Sequence, residues 1–170
     1  MLKGRANAGF TLIEMVVVIA IIALLAALVF PRLPMTEDAR LRSSARTFSA
    51  LLRYLGDRGA TSGSRYRLHL NMSDNSVTVG VLSASGEEGR SDDAFLNRRF
   101  LDTGIVLADV ELTRLGKVGE GEVTVDFGPG GLGEFLVIHL KGKGERYDTI
   151  FAFPQGGRVK VVSGYEEAVP

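Results

Sequence analysis

The chain has 170 residues, with 20 basic and 20 acidic side chains, and this balance gives no general drive towards nucleic acid. It contains no cysteine, which excludes disulfides, thiol catalysis and cysteine-ligated metals. The length suits one ordinary domain with an appendage.

The N-terminal part is a short polar leader followed by a long apolar run. Residues 1–9 carry Lys3 and Arg5 as their only charges, and residues 15–30 contain no polar side chain. As a helix, residues 10–30 would span about 30 Å, the thickness of one hydrocarbon core. The basic leader predicts that the N-terminus stays in the cytoplasm.

Three kinds of N-terminal segment compete for this pattern. A cleaved secretory signal needs a small-x-small site, but the run ends FPRLP and has no two alanines two positions apart. A plain signal anchor explains the apolarity and the basic flank, but neither Glu14 nor the Gly9-Phe10 junction. The third kind is defined by the motif GFTLIE at residues 9–14.

This motif resembles the type IV prepilin signal of pilins and type II secretion pseudopilins at every position, including the short leader and Pro31. The resemblance implies that prepilin peptidase, a membrane aspartyl peptidase, cuts between Gly9 and Phe10 and then methylates the new amine of Phe10. Residues 1–9 would be the cleaved leader, and residues 10–33 the transmembrane half of a long helix.

The resemblance to the prepilin signal implies a physical role for Glu14. A carboxylate inside a membrane helix costs about 2.5–3.5 kcal/mol, and such groups are usually paired. The cationic amine of a neighbouring Phe10 is the best partner, so Glu14 is predicted to be the assembly charge that docks one subunit beside another. The alternative is a Glu14 that lies solvated and idle in the interfacial region.

Beyond the apolar run, the resemblance implies that the helix kinks at Pro31 and continues as an amphipathic half over residues 34–59. An apolar stripe at spacings of 4, 3, 4 and 3 predicts a face packed on the protein's own sheet. Gly56 and Gly59 are predicted to stop the helix. The stripe consists of Leu41, Ala45, Phe48, Leu52 and Leu55.

The remainder reads as antiparallel β structure. Residues 65–70 alternate strictly, residues 71–76 form a turn and residues 77–82 pair back, whereas residues 83–94 lack large apolar side chains and predict a mobile loop. Further strands are predicted at 95–101, 104–107, 110–115, 122–127, 135–140, 149–153 and 158–163, with turns at 116–121, 128–134, 141–146 and 154–158.

DFGPGG at residues 126–131, an apolar strand, and then GGRV at residues 156–159 resemble the H-type minor pseudopilins of type II secretion. The implied fold is α+β and pilin-like, with a long N-terminal helix packed on antiparallel sheets. Residues 60–170 would be a periplasmic β-rich head.

The sequence contains no recognisable catalytic motif. His69 and His139 each alternate with leucines in a strand, which predicts surface-facing side chains rather than ligands. The acidic pairs at 87–88 and 92–93 suit a solvated loop better than a cation site. No nucleophile and base stand together, so we expect no enzyme, metal or cofactor.

The resemblance therefore predicts a structural minor pseudopilin in the bacterial inner membrane, assembled near the tip of a pseudopilus that exports folded proteins. Its partners would be prepilin peptidase, the other minor and major pseudopilins, the inner-membrane assembly platform and membrane lipid, without nucleic acid. One alternative is a minor type IV pilin for pilus assembly or DNA uptake, and the other is an anchored periplasmic binding protein that never assembles. A DNA binder needs a basic face, and the last hairpins do gather basic residues, interrupted by Glu145 and Asp148: Lys141, Lys143, Arg146, Arg158 and Lys160.

Overall fold

The computed structural model describes residues 10–29 and 37–167. The chain forms two compact units, Met1–Met35 and Thr36–Pro170, and each is described by itself. The first contains helix α1 (Leu12–Val29), whose residues are almost all apolar. Within the described residues, no helix reaches the combined length and apolarity that crossing a membrane demands.

The second unit begins with helix α2 (Glu37–Ser62), whose first turn carries Glu37 and Asp38, where carboxylates interact favourably with the helix dipole. The predicted apolar stripe is confirmed: its five members are at most 4% exposed. Arg42, Arg46 and Arg53 are exposed, as their position off the stripe requires.

The predicted helix stop was wrong, because Gly56 and Gly59 both lie inside α2. The helix ends at Ser62, and the φ of +68° at the next residue, Gly63, is a left-handed conformation that glycine adopts without a Cβ penalty. Gly59 serves close packing instead, since a Cβ there would meet the backbone of Gly128.

The second unit contains two five-stranded antiparallel sheets. The first sheet has the order β3-β2-β1-β6-β7 and the second has the order β10-β9-β8-β4-β5. The strands of the first sheet are β1 (Arg65–Asn71), β2 (Ser76–Leu82), β3 (Glu88–Arg90), β6 (Glu122–Gly128) and β7 (Gly131–Leu132). Those of the second are β4 (Val106–Leu112), β5 (Gly116–Val118), β8 (Leu136–Lys141), β9 (Tyr147–Ala152) and β10 (Val159–Ser163).

The hairpin of β1 and β2 is confirmed, with Tyr66, Leu68 and Leu70 buried on one face of β1. Side chains from α2 and from both sheets form one continuous hydrophobic core. Its fully buried members include Phe48 of α2, Leu68 of the first sheet and Ile138 of the second. One helix therefore covers both sheets, and their outer faces and edges remain for other contacts.

Some strand predictions were wrong. Residues 83–94, predicted to be a loop, include β3, while residues 95–101 form turns rather than a strand. The Asp93 carboxylate accepts a hydrogen bond from the Phe95 amide at 2.8 Å, and this side-chain turn competes with extended structure.

In the second sheet, the strands predicted at 104–107 and 110–115 are one strand, β4. Its pairing with β8 shifts register between Leu107 and Asp109, so a bulge separates the two alternating patterns. The short strands β5 and β7 lie inside segments predicted to be turns.

Candidate assembly site

The first turn of α1 is capped by Thr11. The Glu14 amide donates to the Thr11 hydroxyl at 3.3 Å and to the Thr11 carbonyl at 3.1 Å. Thr11 and Glu14 thus stand at the N-cap and third helical positions, a Thr-x-x-Glu pattern that marks helix starts. This capping pattern was not predicted, although the spacing of Thr11 and Glu14 is visible in the sequence.

The described surface of α1 is apolar on every side. All side chains of residues 12–26 are exposed, and Glu14 is the charged residue among them. Phe10 precedes the helix and is 71% exposed. No hydrogen bond or ion pair within the described residues engages the Glu14 carboxylate, so this helix offers a broad apolar surface with one free carboxylate at its start.

The structure describes only some of the site residues predicted at the N-terminus. Gly9, the residue before the predicted cleavage, and Pro31, the predicted kink, lie outside the described residues. Cleavage at Gly9-Phe10, methylation of Phe10 and the assembly role of Glu14 stay predictions.

Two basic side chains of the β8–β9 hairpin pair with carboxylates at the start of α2. The Lys143 ammonium lies 2.6 Å from the Glu37 carboxylate, and the Arg146 guanidinium lies 2.6 Å from the Asp38 carboxylate. Lys141 lies 3.3 Å from Glu145 on its own hairpin. Lys143 and Arg146 thereby fasten the β8–β9 turn to α2.

The prediction that His139 faces the surface was wrong, because its side chain is fully buried. Nδ1 lies 2.6 Å from the Asp109 carboxylate, and Nε2 donates to the Glu166 carbonyl at 2.9 Å. The ring stacks on Tyr165 with centroids 3.9 Å apart. Alternation correctly places His139 on the outer face of the second sheet, but the C-terminal segment covers that face.

His69 lies between two carboxylates on the outer face of the first sheet. Nδ1 is 2.5 Å from Glu122 of β6, and Nε2 is 2.6 Å from Glu88 of β3. Partial burial opposes the charged ring and lowers the pKa of His69, but the hydrogen bonds to Glu122 and Glu88 outweigh it, so the pKa lies above its ordinary value. The ring of His69, itself on β1, therefore joins three strands.

The acidic pairs of the 83–94 segment are partly engaged by neighbours. Glu88 contacts His69, and Asp93 accepts a hydrogen bond from the Tyr54 hydroxyl. That bond raises the pKa of Tyr54 and lowers the pKa of Asp93. Across residues 10–29 and 37–167, no three histidine or acidic side chains are arranged to hold a metal ion.

These features define a class of protein. A long helix packed on antiparallel sheets, preceded in the chain by an apolar helix with a glutamate in its first turn, is the pilin-like fold. Residues 4–30 match the model of the prokaryotic N-terminal methylation motif, which is the pilin signal.

The fold is similar to two solved structures of the minor pseudopilin EpsH from the type II secretion system of Vibrio cholerae. One has a TM-score of 0.57 and the other 0.60, each at 19% sequence identity. They cover 73% and 76% of this chain, and 97% of their own chains. At this identity the likeness shows a shared fold. None of the curated proteins matches the sequence significantly.

Proposed function

We propose that the protein is a structural minor pseudopilin that joins a type II secretion pseudopilus near its tip and helps to export folded proteins across the outer membrane. The observation that carries the proposal is the exposed apolar surface of α1 with its single carboxylate, in a chain with a pseudopilin fold. An apolar surface of this size needs a partner, either lipid or other helices.

The proposed anchor comprises residues 10–33 in the bacterial inner membrane, with the head, residues 60–170, in the periplasm. Helix α2, Glu37–Ser62, is the amphipathic half that carries the head. Assembly would move α1 from lipid into a bundle of other pseudopilin helices at the assembly platform. Because lipid tails and apolar side chains are similar environments, packing and polar contacts must favour the bundle.

Glu14 supplies such a polar contact. Prepilin peptidase cuts between Gly9 and Phe10, and the new amine of Phe10 lies just before the Thr11 cap. In a low dielectric an unpaired carboxylate and an unpaired ammonium are both costly, so a neighbour that pairs them stabilises the assembled state. The free carboxylate of Glu14 is consistent with a partner on another subunit.

This role requires no catalysis and no cofactor. The structural neighbours are pseudopilins rather than enzymes. The polar clusters of the head join one part of the fold to another: His139 fastens the C-terminal segment, and Arg146 fastens α2.

Processing in cells tests the first step. We expect the wild-type chain, coexpressed with prepilin peptidase, to lose nine residues and gain one methyl group, as intact mass would show. Gly9→Val should retain the leader, because a side chain at this position blocks close approach of the backbone to the peptidase. Gly4→Val, a matched change inside the leader, should be processed normally.

Secretion of folded substrates by a cell that carries the chain as its sole H-type subunit tests the assembly role. Gly9→Val should abolish secretion, and Gly4→Val should not. Full secretion by an uncut chain would refute the proposal, and loss of DNA uptake with intact secretion would assign the protein to a type IV pilus.

A further inference from the structure

One edge of the first sheet is partly open. Strand β2 runs over Ser76–Leu82, but β3 pairs only with its last three residues, Gly80, Val81 and Leu82. Among the described residues, no strand pairs with Val77–Val79 on this side of β2. An unpaired stretch of strand edge is a template for another extended chain.

Successive residues of a strand direct their backbone groups to opposite neighbours, and this alternation shows which groups of β2 point towards the open edge. The Ser83 amide donates to the Glu87 carbonyl at 2.9 Å, on the side of β2 that carries β3. In an antiparallel ladder every second residue faces the same neighbour, so Val81, Val79 and Val77 present their amides and carbonyls on that side. The amides and carbonyls of Val77 and Val79 lie beyond the end of β3.

A groove of about 630 Å³ lies along this edge, between β2 and residues 96–99. Its volume falls within the range of ligand-binding clefts. Three exposed arginines line it: Arg90, Arg98 and Arg99. The Arg98 guanidinium lies 4.4 Å from the centre of the Phe95 ring, a cation–π contact that limits its freedom.

The charge of the groove is unbalanced. Glu88 is the one carboxylate among the lining residues, and it is already held by His69 at 2.6 Å and by Arg67 at 3.9 Å. Within the described part of the chain, the three groove arginines form no ion pair with a carboxylate, although Arg67, Arg114 and Arg146 elsewhere all do. Guanidinium groups without a carboxylate, beside unpaired backbone donors, favour an acidic partner.

We propose that this groove binds an extended acidic segment of a partner protein, which adds as a strand to the open edge of β2. The backbone of the segment would pair with Val77 and Val79, and its acidic side chains would meet Arg90, Arg98 and Arg99. Main-chain pairing gives affinity and the arginines give selectivity, as in other strand-addition interfaces. The groove belongs to the head alone, so this binding goes beyond the assembly role proposed for α1.

Fluorescence anisotropy of labelled peptides tests the proposal, with the full chain in a nonionic detergent. The probe is an eight-residue peptide of alternating threonine and glutamate. A threonine–lysine peptide controls for charge, and the same threonine–glutamate peptide with alternate amides N-methylated controls for strand pairing. We expect the first peptide to bind at least tenfold more tightly than either control, with affinity that falls as salt rises.

Protein variants separate the two contributions. Arg90→Glu with Arg99→Glu should weaken binding at least tenfold, whereas Arg46→Glu, an exposed change on α2, should not. Val79→Pro removes an amide that points outward, away from the ladder with β1, and should weaken binding without unfolding the sheet. If Val79→Pro fails to fold, the N-methylated peptide answers the same question on the unaltered protein.

Two results would overturn the proposal. Equal binding of the glutamate and lysine peptides, including no binding of either at millimolar concentration, would show that the arginines select nothing. Equal binding of the N-methylated peptide would show that any acidic ligand is held by charge alone, without strand addition.

Discussion

Gly59 of α2 lies directly against Gly128 at the end of β6. A Cβ built on Gly59 would stand 2.6 Å from the Gly128 carbonyl oxygen and 3.2 Å from its carbonyl carbon. Both obstructing atoms belong to the backbone, so no side chain can rotate away. The absence of a side chain at position 59 therefore sets how closely α2 approaches the first sheet.

Gly59→Ala should lower the free energy of unfolding by about 1–3 kcal/mol, because the extra methyl group forces α2 away from β6. A fragment starting at Pro34 suits this measurement. We expect it to be soluble and folded, since the unit Thr36–Pro170 contains the whole buried core. Urea denaturation followed by circular dichroism gives the free energy.

Gly56→Ala is the matched control. Gly56 lies in the same helix, three residues earlier, and its added Cβ would meet nothing within 4 Å. This change should raise stability by up to about 1 kcal/mol, because alanine is the better helix former. Equal effects of the two substitutions would show that the contact with Gly128 does not limit the packing.

His69 should make the stability of the head depend on pH. Its pKa is raised in the folded state, so the folded protein binds the proton more tightly than the unfolded chain does. The stabilisation is therefore complete below the unfolded pKa of about 6.5 and is lost as pH rises through the higher folded pKa. We expect a loss of up to about 1 kcal/mol, as for partly exposed ion pairs.

Urea denaturation between pH 5.5 and 8.5 measures this loss, and His69→Gln should remove it. The two carboxylates that face His69, those of Glu88 and Glu122, are present in both proteins. Because His139 is present in both proteins, the difference between their profiles reports His69. Parallel profiles would mean that the carboxylates do not stabilise the charged ring.

Glu14→Leu should separate membrane insertion from assembly. Insertion should be unchanged or improved, because the cost of about 2.5–3.5 kcal/mol for the carboxylate disappears. Assembly should suffer, because the amine of a neighbouring Phe10 loses its partner. Membrane fractionation measures the first effect, and cross-linking to the other pseudopilins measures the second.

Glu14→Gln should resemble Glu14→Leu, because it keeps the shape but not the charge, while Glu14→Asp should partly restore assembly within its shorter reach. Val17→Leu, a nearby apolar change, should affect neither measurement. Normal cross-linking and secretion by Glu14→Leu would show that the Glu14 carboxylate makes no docking contact in this subunit.

The head should bind duplex DNA only weakly, with a dissociation constant above about 10⁻⁴ M at physiological salt. Lys143 and Arg146 already face carboxylates, so a phosphate would have to compete with them. Electrophoretic mobility shift at several salt concentrations checks this. Tight binding that falls steeply with salt and is lost on replacing Arg158 and Lys160 would favour a DNA-uptake pilin.

The sequence predicted correctly those elements in which apolar residues recur at a regular spacing. The 4-3-4-3 spacing of α2 and the strict alternation of β1 each set one apolar face, and each face is buried as expected. Regular apolar spacing indicates which side of a helix or strand faces the core, because backbone geometry fixes the period at which side chains return to the same side. The GFTLIE motif likewise needed no tertiary information, because it occupies one continuous stretch of chain.

Other features depended on what a distant segment does. The sequence determined that His139 points away from α2, but only the tertiary structure brought Tyr165 and Glu166 over it, 27 residues away in the case of Glu166. The sequence likewise supplied the glycine at position 59, whereas its purpose depends on Gly128, which packs against it from another element. A periodic pattern fixes the face of its own element, but which segment covers that face depends on contacts between residues far apart in the chain.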